Sequence, residues 1–137
     1  MTTEVFIDTS GFFSILSPYD RDHAAAIRWM VDFGARTPIV TTDYILDETI
    51  TLLQSRRQPH LIEPWLTNIL ASENCQVIWM NAERFSQVRS FFAKHADKDW
   101  SFTDCFSFCV MHERQIGQAL ASDHHFQQAG FSTLLGV

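Results

Sequence analysis

The sequence predicts an α/β domain over residues 1–137, a three-layer α/β/α sandwich with a central parallel sheet. Three observations carry that expectation. Short apolar runs rich in strand formers alternate with longer stretches of helical periodicity. The first run, Val5-Phe6-Ile7, is apolar at every position, as in a strand covered on both faces. Carboxylates then stand where strands end, which is where open α/β sheets bind ligands.

The elements follow in order. Asp8-Thr9-Ser10 succeeds the first strand, and a short apolar helix, Gly11 to Leu16, ends at the break Ser17-Pro18. Good helix formers from Asp22 onward predict a helix that reaches Phe33 and stops at Gly34. Pro38 to Thr41 reads as the second strand, with Thr42 as the cap of the next helix. Between Asp43 and Gln54, Ile45, Leu46, Thr49, Ile50, Leu52 and Leu53 form one apolar arc at a period of about 3.6. Glu48 lies at the edge of that arc, half turned to the core, and Asp47 faces water. Arg56-Arg57-Gln58-Pro59 closes the helix, and another begins near Leu61 with Trp65, Ile69 and Leu70 as its apolar side. Cys75 to Trp79 is the third strand, after which Asn81 caps a helix carrying Phe85, Val88, Phe91 and Phe92. In Ser101 to Met111 the apolar residues surround nearly the whole helix, so it is expected to be deeply buried with Asp104 among them. Ala119 to Ser122 supplies a fourth strand ending at Asp123, His124-His125-Phe126 begin a short helix, and Phe131 to Leu135 form a closing edge strand.

A chain of 137 residues is one domain, able to bury roughly two thirds of its unfolded surface. Twelve Phe argue against disorder. No run approaches the ~20 apolar residues of a membrane span, and Met1 to Glu4 has no basic region before a short apolar run, so a cytoplasmic protein is expected. Cys75, Cys105 and Cys109 fit no zinc spacing and read as reduced core thiols. The net charge of −6 excludes a surface that attracts nucleic acid everywhere. Arg56, Arg57, Lys94, Lys98 and Arg114 remain available for a local phosphate path.

Asp8, Glu48, Asp104 and Asp123 all fall at strand ends or in the first turns of the helices that follow, on one rim of the sheet. Each has a plainer reading alone. Asp8 or Ser10 serves as a helix cap, Glu48 as a border residue with a solvated head, and Asp104 as the acid of a capping box with Ser101. Together, four converging acids repel one another unless a cation holds them. Oxygen donors of this kind suit Mg²⁺ or Mn²⁺, which would polarise a phosphodiester and activate water for in-line attack. Thr9, Ser10 and Thr103 are placed to hold water or a phosphate oxygen. The sequence lacks the second Asp that a haloacid-dehalogenase-like phosphatase needs at Ser10. It also has no acceptor Asp after the third strand, as a response-regulator receiver would require. Asp123-His124-His125 spells the triplet of the DHH phosphoesterases, whose other metal-binding motifs are absent. None of the six histidines has the paired spacing of a helical zinc site.

Four segments resemble the motifs of PIN-domain proteins: Asp8-Thr9-Ser10, Thr41 to Thr49, Asp97 to Cys105 and Asp123 to Phe131. The resemblance spans the whole chain in order, and the block Ser101-Phe102-Thr103-Asp104-Cys105 is its most specific part. It implies a compact α/β/α domain and a divalent-metal endoribonuclease, very often the toxin of a toxin-antitoxin pair of the VapC kind. Asp8, Glu48, Asp104 and Asp123 match the family's acidic positions, with Ser10 as polar companion and Asp99 as a supporting residue nearby. Asp8 and Asp104 are then the principal Mg²⁺ or Mn²⁺ ligands, completed by Glu48 and Asp123. RNA is the implied substrate, an antitoxin protein the implied partner, and a homodimer the implied assembly. A non-catalytic PIN-fold binding module and a structure-specific DNA nuclease are the alternatives.

Overall fold

The computed structural model describes residues 3–136. Met1, Thr2 and Val137, which the expected 1–137 domain includes, lie outside the described residues. Five strands, β1 (Val5–Ile7), β2 (Ile39–Thr42), β3 (Cys75–Ile78), β4 (Gln118–Leu120) and β5 (Ser132–Thr133), form one parallel sheet in the order β3-β2-β1-β4-β5. The chain moves outward from β1 to β3, then crosses back to place β4 on the other side of β1. That reversal creates a switch point between β1 and β4, at the centre of the sheet.

Successive strand residues point to opposite faces, so an all-buried Val5–Ile7 requires cover on both. Ile7 shares a cavity wall with Phe12 of helix α1 (Thr9–Leu16) and Trp65 of α4 (Ile62–Ala71). Phe6 instead meets Phe126 of α7 (His124–Gln128), which packs edge-on against Phe108 of α6 (Phe102–Arg114). The remaining helices are α2 (His23–Trp29), α3 (Asp43–Ser55) and α5 (Ala82–Lys94). Helix α6 is buried from Asp104 to Phe108 and again at Val110 and Met111, matching its uninterrupted apolar circumference.

Several boundaries differ from expectation. The helix expected to run to Phe33 is α-helical only to Trp29, after which Met30–Gly34 form a wider π turn that seats Met30 against Gly34. In α4, Trp65 and Ile69 share a side at four-residue spacing, whereas Leu70 is rotated away and exposed. Strand β3 stops before the exposed Trp79, and β5 keeps only two of its five expected residues. Arg114 is not free for phosphate: its guanidinium donates to both Glu4 carboxylate oxygens at 3.1 and 2.6 Å and to Gln76. The three cysteines are free thiols, as expected, and burial pushes each up to about 11, so they are protonated at neutral pH.

Two helices end without the glycine such ends favour. At α3, Gln58 N–H donates to Leu53 and Arg57 N–H to Gln54, with Arg57 left-handed at φ 59°. At α6, Ile116 N–H donates to Met111 and Gln115 N–H to His112, with Gln115 at φ 57°. Both are Schellman ends with a side chain at the left-handed position.

Gly11 is required for a different reason. A Cβ there would lie 2.0 Å from the Leu120 carbonyl oxygen, because the first turn of α1 rests on the end of β4. Gly11→Ala is expected to lower stability by about 1–3 kcal/mol, the usual loss from overpacking. Gln115→Gly is expected to raise it by up to ~1 kcal/mol through relief of the left-handed backbone. Urea unfolding of the three proteins, compared at their midpoints, checks both directions.

Candidate active site

Asp8 follows β1 directly and caps α1. Its carboxylate accepts from the Ser10 amide at 3.3 Å and the Ser10 hydroxyl at 2.9 Å. The Ser10 hydroxyl in turn accepts from the Ser122 amide at 3.0 Å, so one side chain ties the ends of β1 and β4 together across the switch point. The buried Thr9 hydroxyl donates to Glu48 Oε1 at 2.5 Å, fixing a carboxylate from the second turn of α3. Glu48 as a residue is more exposed than its place on the apolar arc predicts, and Thr9 draws its carboxylate back to the protein. At the start of α3, Thr42 caps through the Ile45 amide, and Asp43 accepts from the Met80 amide beyond β3.

Asp104 enters from α6. It forms the expected capping box, its carboxylate accepting from the Ser101 amide and its own amide donating to the Ser101 hydroxyl. Asp123 caps α7 by accepting from the His125 amide at 2.9 Å. His125 completes the arrangement. Its Nδ1 lies 3.1 Å from Asp104 Oδ2 and 3.3 Å from Asp123 Oδ1. Ionised carboxylates have no hydrogen to give, so a proton on Nδ1 links two acids from different helices.

The electrostatics place the four acids in one volume. Asp8 is pushed up to about 7, first by burial, against the lowering effect of the Ser10 hydrogen bond, with repulsion from Glu48, Asp104 and Asp123 adding to the rise. Glu48 is raised by loss of solvent, opposed by Thr9 and reinforced by Asp104, Asp123 and Asp47. Asp104 is also raised, mainly by burial and then by Asp123, while Ser101 and His125 act to lower it. Among the described residues, no lysine or arginine pairs with any of the four. A hard divalent cation fits this oxygen-rich and under-compensated donor set. Asp123, His124 and His125 can also bring one ligand atom each within 4.8 Å of one another. The His125 Nδ1 that faces the cluster is, however, already placed against two carboxylates.

Thr103 is half-buried beside Asp104, and its carbonyl accepts from Ser107. Asp99 is exposed in the loop before α6, with neither a hydrogen bond nor an ion pair to the four acids. His125 escaped the reading of the sequence, which weighed the histidines as zinc ligands and as part of a DHH triplet and gave His125 no role at the acidic site. Its one signal was position, two residues beyond Asp123 at the opening of a helix.

The family model for the PIN domain matches residues 5–132. The chain belongs to the PIN-domain family. Among curated PIN-domain relatives, it is 32% identical to the 23S rRNA-specific endonuclease VapC20 of Mycobacterium tuberculosis over 93% of this chain and 95% of that one. It is 29% identical to a VapC ribonuclease of Archaeoglobus fulgidus over 80% of this chain and 71% of the relative. The crystal structure of the M. tuberculosis VapC20, described as a sarcin-ricin loop cleaving toxin, superposes with a TM-score of 0.81 at 29% identity, covering 93% and 95% of the two chains. FitAcB from Neisseria gonorrhoeae, at 12% identity and a TM-score of 0.62 over 94% and 95%, shares the PIN fold.

The raised acids set a pH dependence for the metal-free PIN domain. Asp8 binds its proton more tightly folded, at about 7, than in the unfolded chain, at 3.8. Its contribution to stability is therefore fully present below the unfolded value and is lost as pH rises through about 7. Glu48 and Asp104 act with the same sign. In EDTA, thermal scans are expected to give a lower Tm at pH 8 than at pH 5.5. Adding Mn²⁺ at pH 8 is expected to restore it, with release of protons.

Proposed function

We propose that this protein is a divalent-metal-dependent endoribonuclease of the VapC kind and the toxin of a toxin-antitoxin pair, acting in the cytoplasm as a single 1–137 domain. The observation that carries this reading is the gathering of four carboxylates, with no lysine or arginine paired to them among the described residues, at the switch point of a PIN fold. Relatives named as ribonucleases support it.

In this reading Asp8 and Asp104 are the principal ligands of Mg²⁺ or Mn²⁺, and Glu48 and Asp123 complete the acidic pocket. The cation supplies Lewis acidity at a phosphodiester and lowers the pKa of nearby water. The protein's own groups provide the positioning. Ser10 fixes Asp8 against β4, Thr9 holds Glu48, and Ser101 with His125 orients Asp104. Thr103, next to Asp104, and Asp99, in the loop before α6, are the proposed supporting residues. Water attacks phosphorus and the bond to the 3′ oxygen breaks, leaving a 5′-phosphate and a 3′-hydroxyl.

An antitoxin would cover the acidic pocket, with a basic side chain compensating the carboxylates in place of a metal. Homodimerisation is proposed as the assembly. The named target of the M. tuberculosis relative makes 23S rRNA the first defined substrate to try. No helix among the described residues is long and apolar enough to cross a membrane.

The decisive assay is cleavage of RNA in Mg²⁺, Mn²⁺ and EDTA by wild type and by Asp104→Asn, which preserves shape while removing charge. EDTA is expected to abolish cleavage. Asp104→Asn is expected to lose at least ~100-fold, beyond the 10–100-fold typical of an outer partner. His125→Leu is expected to weaken metal affinity by about 10–100-fold, read by calorimetry with Mn²⁺. A 2′,3′-cyclic phosphate on the product would overturn the water mechanism, and equal cleavage of DNA of the same sequence would overturn the RNA preference.

A further inference from the structure

A second polar recess lies along the seam between α1 and α3, away from the carboxylates. It has a volume of about 250 Å³, and its lining includes Phe13, Tyr19, Arg21, Arg56 and Gln58, together with Ser17 and the acid Asp20. Phe13 is one turn, ~6 Å, beyond Thr9 on α1, and Arg56 lies just over two turns, ~12 Å, beyond Glu48 on α3. The recess and the acidic cluster therefore share the same pair of helices.

Its parts are held in place before any ligand arrives. Ser17-Pro18-Tyr19-Asp20 is a turn closed by the Asp20 amide on the Ser17 carbonyl, with Pro18 at its favoured second position. The Asp20 carboxylate is committed to the Ser14 hydroxyl at 2.7 Å and the Asp22 amide at 3.1 Å, which fixes the turn from below. Tyr19 is thereby presented to solvent, 89% exposed. The Arg56 guanidinium lies over the Phe13 ring at 5.6 Å, with no carboxylate partner among the described residues. Arg21 makes only a loose 3.7 Å pair with its neighbour Asp22 and remains 81% exposed. The Schellman end of α3 sets Gln58, whose side-chain oxygen is buried with no hydrogen-bond partner among the described residues.

These groups match the three features of an unpaired nucleotide. A free aromatic face stacks on a base, an orphan amide oxygen accepts from a base N–H, and guanidinium groups take the phosphate. An acidic peptide would use the arginines but would need neither the aromatic face nor the amide acceptor. The overall charge of −6 makes paired guanidinium groups at one recess a local exception.

We propose that this recess is a nucleotide-binding subsite for an unpaired residue of the RNA strand cut at the carboxylate cluster; the inference rests on the ribonuclease reading. The strand crosses from the acids along the α1–α3 seam, and Tyr19 and Arg56 hold a nucleotide that flanks the scissile bond.

The test is steady-state cleavage of a single-stranded RNA in Mn²⁺ by the full chain, with Tyr19→Ala, Tyr19→Phe, Arg56→Gln and Arg56→Lys. Tyr19→Ala is expected to raise KM by about 5-fold or more, the effect of losing one stacked base, with the change falling on KM and not on kcat. Tyr19→Phe is expected to retain the stack. Arg56→Gln is expected to flatten the dependence of log(1/KM) on log[salt] by about 0.7, the slope of one phosphate contact on a single strand, and Arg56→Lys to restore it. On a substrate too short to reach the recess the differences are expected to vanish. Because Tyr19 is exposed, its replacement does not threaten folding. Variants that match an active wild type on the long substrate would overturn the subsite. So would losses equal on long and short RNA, or losses confined to binding of a partner protein. A wild type that cuts no RNA would instead overturn the ribonuclease reading, and the subsite with it.

Discussion

Four mutually repelling carboxylates are held in one small volume by backbone geometry, with no lysine or arginine among the described residues paired to them. Three of the four are also helix-capping acids: Asp8 on α1, Asp104 in the first turn of α6 and Asp123 on α7. Each thus meets a helix N-terminus, where backbone amides and the helix dipole favour negative charge. The plain role of each acid and its membership of a cluster are consequently not alternatives. Capping makes the convergence tolerable, and the sheet order makes it happen, since β1 and β4 are neighbours only because the chain reverses between β3 and β4.

The sheet and the placement of four acids at strand ends and early helix turns were readable because both rest on local periodicity. An apolar run at β1, a one-sided arc in α3 and an all-round apolar α6 each leave a signature within a dozen residues. What escaped depends on distant partners. Arg114 looked available until Glu4, on the opposite end of the chain, was found against it. His125 gains meaning only where α6 and α7 meet, and the exposure of Glu48 is set by what α1 does beside it. Leu70 and the end of β3 are lesser cases, decided by rotation about a helix and by an edge. The π turn at Met30–Gly34 left no periodic trace, since one widened turn shifts the pattern without abolishing it.

Helix termini organise the periphery as strand ends organise the centre. The left-handed positions at Arg57 and Gln115 are occupied by polar residues that bear some backbone cost. At Arg57 the turn also directs Gln58 toward Phe13 and Arg56. The sheet's two faces are filled unequally in kind, one by an aromatic column through Phe6, Phe126, Phe108 and Trp100, the other by Phe12 and Trp65. Both faces bear on β1, so the strand that delivers Asp8 is buried at every position.

The Ser10 hydroxyl donates to Asp8 while accepting from the Ser122 amide, and Gly11 brings the same turn against the Leu120 carbonyl. The amide of Ser122 therefore has a partner only while both halves of the sheet are docked. Its hydrogen-exchange protection is a built-in gauge of assembly, because that amide donates across the seam to the same hydroxyl that donates to Asp8. The acidic centre thus cannot loosen on the β4 side without leaving a mark on a single backbone proton.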